Sequence, residues 1–95
     1  MNVEQALVQW WHRRFGVKIS DVPMPVDEET SKLRVNLILE EAREFEEASL
    51  NQDLIKIADS LADLLYVVYG AGVTYGIDLE PVFHEVHRSN MSKGE

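Results

Sequence analysis

Seven carboxylates in the middle of the chain carry the spacing of a site. Between Leu37 and Ala48, in LILEEAREFEEA, five glutamates are threaded through apolar residues. At about 100° per residue along a helix, Glu41 falls between Leu37 on one flank and Ile38 and Phe45 on the other, the side that helix should bury. Glu40 and Glu44 lie along the edge of that face, Glu46 points away, and Glu47 sits near the outer border. A carboxylate aimed into an apolar layer is costly unless it is paired, hydrogen-bonded or bound to a cation. Further along, Asp59 and Asp63 are four residues apart in an apolar stretch and share a face with Lys56, Tyr66 and Gly70. Asn51 and Gln52 leave room only for a tight turn between the two stretches, so the helices run antiparallel. Counted from that turn, Glu44 comes level with Asp59, and Glu40 with Asp63, at about 1.5 Å per residue.

An oxygen-only acidic pocket follows. It suits magnesium, or manganese, and not zinc, which prefers histidine and cysteine. A di-iron bundle would need Glu-x-x-His pairs on two helices; the chain has only His84-x-x-His87 on a single helix. Those two histidines and His12 are expected at the surface or in an interface. Glu46 and Glu47 read as ordinary solvated charge, with Arg43 and Lys56 as available salt-bridge partners.

The elements that must hold these residues are all helical. A first helix is expected over Val3 to Phe15, stopped by Gly16, with Trp10 and Trp11 either in a packed contact or forming a stacking wall for a base. The segment from Gly16 to Val26, with Pro23 and Pro25, reads as an extended surface loop. Asp27 caps a second helix to about Leu50, with Glu28 and Glu29 favoured in its first turn by the helix dipole. Asp53 caps a third over Leu54 to Tyr75, apolar in nearly every direction and therefore expected to be buried on most sides. Within it Gly70 and Gly72 mark close packing or a bend, and Gly76 marks its end. Asp78 caps a fourth helix with Pro81 in its first turn, ending near Asn90, and the tail from Met91 to Glu95 is expected to fray, with Lys93 able to order on a ligand.

The chain of 95 residues is 45% hydrophobic and 27% charged, an ordinary balance for one globular domain spanning residues 1–95. Its formal net charge of −8 argues against a nucleic acid polymer as partner. A single nucleotide is compatible with that charge when divalent cations lie between protein and phosphates. No apolar run reaches the roughly 18 residues of a membrane span, no basic-then-apolar leader opens the chain, and there is no cysteine. A cytoplasmic location is the expectation. Four helices in so short a chain do not easily cover the third, which predicts a homodimer or homotetramer.

The pattern Glu40-Glu41-x-x-Glu44, a short turn, then Asp59-Ser-Leu-Ala-Asp63-Leu-Leu-Tyr66 resembles the MazG-like all-α nucleoside triphosphate pyrophosphohydrolase superfamily. Tyr75-Gly-Ile-Asp-Leu-Glu80 and the ending His87-Arg-Ser-Asn90-Met-Ser-Lys93 resemble its phosphoribosyl-ATP pyrophosphohydrolase-like branch. The usual Glu-x-x-Asp of the second acidic helix is here Ser60-x-x-Asp63, with Asp59 the nearest carboxylate to stand in. The resemblance implies an all-α bundle and magnesium-dependent hydrolysis between the α and β phosphates of a nucleoside triphosphate. On that reading Glu40, Glu41, Glu44, Asp59 and Asp63 hold metal and Glu41 is also the base. Lys56, Arg88, Asn90 and Lys93 meet phosphate oxygens, while Trp10, Trp11 or Tyr66 stack on the base. The rival reading is a non-catalytic oligomerising or regulatory module in which metal staples helices together, and Ser60 is the residue that favours it.

Overall fold

The computed structural model describes residues 1–94. Its four helices are α1 (Val3–Phe15), α2 (Glu28–Leu50), α3 (Leu54–Tyr75) and α4 (Leu79–Lys93), with no strand among the described residues. Each begins at a polar side chain that accepts from the first turn: Asn2 from Gln5 N, Asp27 from Thr30 N, Asp53 from Lys56 N and Asp78 from Glu80 N. Such caps satisfy backbone N–H groups that have no partner within the helix. α1 and α3 end as expected on Gly16 and Gly76, both left-handed. Gln52, at φ 51°, turns the chain between α2 and α3.

α3 is the central element, with α2 against one flank and α1 against another. The segment between α1 and α2 is tied down more firmly than a free surface loop. Ser20 is buried, its N–H donates to Val73 O and its hydroxyl to Thr74 O at 2.7 Å, and Met24 N donates to Tyr75 O. Gln5, fully buried on α1, donates to Ile77 O at 2.7 Å and accepts from Leu79 N at 3.0 Å, so α1 fixes the turn that leads into α4. Gly72 makes room for that amide group, because a Cβ there would press on Gln5 Nε2 and Leu79 Cδ1.

Two expectations are corrected. α3 is not buried on most sides within one chain: Leu54, Ile55, Leu61 and Leu65 are exposed, because α1 and α2 cover only part of its circumference. Nor does α4 stop at Asn90 with a frayed tail after it. It continues to Lys93, where Gly94 N–H closes on the carbonyls of Asn90 and Met91; Glu95 lies outside the described residues. Among the described residues no helix is long and apolar enough to cross a membrane.

Candidate metal centre

α2 and α3 are antiparallel neighbours joined by three residues, and their facing surfaces bring acids from both helices together. Leu37, Ile38, Ala42 and Phe45 are half-buried and Ala48 is buried, so the stripe predicted for α2 faces inward and carries Glu41 with it. One carboxylate oxygen from each of Glu41, Glu44 and Asp63 lies within 4.8 Å of the others. Oε2 of Glu41 is closed off from solvent and has no hydrogen-bond partner. Burial, then the neighbouring Glu44, then Asp63 and Glu40 push the Glu41 carboxyl above its ordinary range. Three converging carboxylates with an orphaned inner oxygen lack positive charge, and a hard cation would supply it.

The remaining candidates are distributed around this cluster. Glu40 is exposed and outside the three converging oxygens. Asp59 lies toward the connecting turn, where it lines a cleft of about 290 Å³ with Glu44, Glu47, Asn51, Lys56 and Ser60. Glu44 therefore belongs to both places. Ser60 is buried and its hydroxyl donates to Ile57 O at 3.1 Å, a bond within its own helix. Glu47, read from the sequence as surface charge, is exposed yet lines this cleft.

Tyr66, one turn beyond Asp63, meets Trp11 edge to face at 6.4 Å, and Trp11 leans on Phe15 at 4.9 Å. Tyr66 also lines an apolar cleft with Leu7, Val8, Ala62, Leu65 and Tyr69. The two tryptophans differ: Trp10 is 64% exposed and Trp11 39%. On α4, Arg88, Asn90 and Lys93 are exposed, and Arg88 is held by both oxygens of Glu85. None of the three lines the cleft beside the acids.

Sequence reasoning missed two residues on this inner face. His12, expected at a surface or interface, is 2% exposed; its Nδ1 bonds Lys18 O at 3.1 Å, and burial holds its pKa below the ordinary histidine value. Arg34 is buried as well, and its guanidinium donates from Nη2 to Val67 O at 3.3 Å. The available signal was phase: Arg34 stands seven residues before Glu41, two turns away on the same face.

Fold and site together define a helical protein whose central hairpin carries an all-oxygen acidic cluster able to hold a metal ion. Residues 8–90 match the phosphoribosyl-ATP pyrophosphohydrolase family, and the chain belongs to that family. Over 52 residues, 55% of the chain, it is 46% identical to an uncharacterized protein of Acanthamoeba polyphaga mimivirus, and the match takes in 21% of that protein. The matched stretch thus spans about a fifth of this relative's length.

Proposed function

We propose that the protein hydrolyses a nucleoside triphosphate, ribo or deoxy, between its α and β phosphates, releasing a nucleoside monophosphate and pyrophosphate. The observation that carries this reading is the convergence of Glu41, Glu44 and Asp63 around a buried, unpartnered oxygen in a chain of the phosphoribosyl-ATP pyrophosphohydrolase family. Glu41, Glu44 and Asp63 would hold magnesium, or manganese, with Glu40 at the rim and Asp59 reached through Glu44. A bound divalent cation neutralises the polyphosphate, aligns it for in-line attack and acidifies water.

The chain's own groups supply the rest. Glu41 accepts a proton from the attacking water as the new P–O bond forms and the bridging P–O bond breaks. Lys56, in the cleft next to Glu44, is the cation best placed to meet phosphate oxygens. Arg88, Asn90 and Lys93 are secondary contacts, and Arg88 would first have to leave Glu85. Trp11 and Tyr66 form the aromatic wall suited to a base, and the exposed Trp10 is a further stacking candidate. The exposed Leu54, Ile55, Leu61 and Leu65 support association into a dimer or tetramer.

The test is incubation with ribo- and deoxynucleoside triphosphates and phosphoribosyl-ATP, with magnesium, and detection of pyrophosphate. Release that disappears with a chelator supports the reading. No product from any of them favours the non-catalytic metal-stapled module, to which the inward-bonded Ser60 is equally suited.

A further inference from the structure

We propose that Arg34 is a positioning residue for the cation site: it sets the axial register of α3 against α2 and thereby places Asp63 opposite Glu41 and Glu44. The proposal rests on the cation site described above.

Arg34 is 6% exposed and makes no ion pair among those found in the described residues. Its Nε has no hydrogen-bond partner, and desolvation lowers its pKa. Its guanidinium lies where Gly70 has no side chain, since a Cβ there would fall on Nη2 and crowd His12 Nε2. A dry, unpaired cation is expensive, and an apolar residue of similar volume would pack the same space at less cost. What arginine adds is a long, directional donor.

That donor reaches Val67 O, one turn beyond Asp63 on α3. On α2, Arg34 is two turns before Glu41. Because the helices are antiparallel, the Arg34–Val67 bond lies one turn along α3, and two turns along α2, from the level where Glu41 faces Asp63. Apolar contacts between helices are non-directional, and a slip of one residue is a displacement of about 1.5 Å. Metal ligands tolerate only about 0.2 Å. The other side-chain hydrogen bond joining α2 to α3 among the described residues, Tyr75 Oη to Ser31 Oγ at 3.3 Å, lies about one turn further from the acids along α2 and two along α3. Arg34 is therefore the polar clamp nearest the site. His12 Nε2, from α1, lies beside the same space at Gly70, with its ring anchored on Lys18 O.

The experiment is a titration of the full chain with Mn²⁺, followed by calorimetry, with helix content checked by circular dichroism. Removing a positive charge from the helix pair that carries the three carboxylates would by electrostatics alone leave Mn²⁺ binding unchanged or tighten it. Loss of positioning does the reverse, so the sign separates the two. Arg34→Gln should weaken Mn²⁺ binding by about tenfold, the scale of residues that orient metal ligands from behind. Arg34→Lys, which still donates to Val67 O, should recover most of that loss. In an Asp63→Asn background the Arg34→Gln effect should shrink below about twofold, because the residue it positions is already gone. Gly70→Ala, which keeps the charge but takes the space of Nη2, should also weaken Mn²⁺ binding, and it serves where Arg34→Gln does not fold. Unchanged or tighter binding in the folded variants, or an undiminished effect in the Asp63→Asn background, overturns the proposal. Failure of the wild-type chain to bind Mn²⁺ instead overturns the cation site itself, and this inference with it.

Discussion

Gly70 of α3 leaves open the space that the guanidinium of Arg34 from α2 occupies. Alanine is the better helix former by about 1 kcal/mol, so at an unconstrained helical glycine Gly→Ala would stabilise. Here the new methyl must displace a buried guanidinium and press on the His12 ring. Overpacking of this kind costs about 1–3 kcal/mol, which outweighs the propensity gain. Gly70→Ala should therefore lower the urea midpoint without changing the slope of the transition, and a raised midpoint would show that Arg34 relocates freely.

His12 makes stability depend on pH. Burial and the Arg34 cation hold its folded pKa below 6.5, its ordinary value, against the opposing pull of the Lys18 carbonyl. The folded state thus binds fewer protons than the unfolded chain as pH falls through 6.5. The His12 contribution is fully retained above that value and declines below it, toward the depressed folded pKa. Urea unfolding from about pH 8 down to about pH 5 should show stability falling through the lower half of the range. His12→Asn should flatten that part of the profile even though it costs stability at neutral pH, and an unaltered profile would assign the pH dependence elsewhere.

Glu41→Gln should separate stability from activity. The wild-type carboxyl is pushed toward its neutral form by burial and by Glu44, and Gln presents a neutral group of the same shape. In the absence of divalent cations the variant should melt at or above the wild-type temperature. Pyrophosphate release should fall by about 10²–10⁴-fold, the usual contribution of a positioned base, and Mg²⁺ should no longer raise the melting temperature as it does when it binds only the native state. Full turnover by this variant would remove Glu41 from the chemistry.

How much could be read from the residues divides along the type of signal. The limits of α1 to α3 and the facing of Glu41 toward Asp63 follow from capping residues, glycine stops and 3.6-residue periodicity, all local to each stretch. Asp59 illustrates the limit of periodicity: it shares a broad face with Asp63, yet lies one turn nearer the connection, in the cleft with Lys56. The burial of Arg34 and His12 goes against composition. Composition places arginine and histidine outside, and only the space at Gly70, a glycine distant in sequence, lets both lie inside. α4 likewise runs past Asn90 and is closed by Gly94.

The two adjacent tryptophans should respond unequally to nucleotide. Trp11 touches Phe15 and Tyr66, whereas Trp10 is largely exposed and lies on the neighbouring helical position. Trp11→Ala removes packing as well as the aromatic wall, so it should lower stability by more than about 1 kcal/mol, while Trp10→Ala should stay within about 0.5 kcal/mol of wild type. If the wall near Tyr66 receives the base, fluorescence quenching by a non-hydrolysed nucleotide analogue should persist in Trp10→Ala. In Trp11→Ala affinity should drop by about five- to tenfold or more, since stacking a base on an aromatic ring is worth about 1–3 kcal/mol. Equal affinity in both variants would make the pair structural, leaving recognition of the nucleotide to its phosphates and to the groups around Lys56.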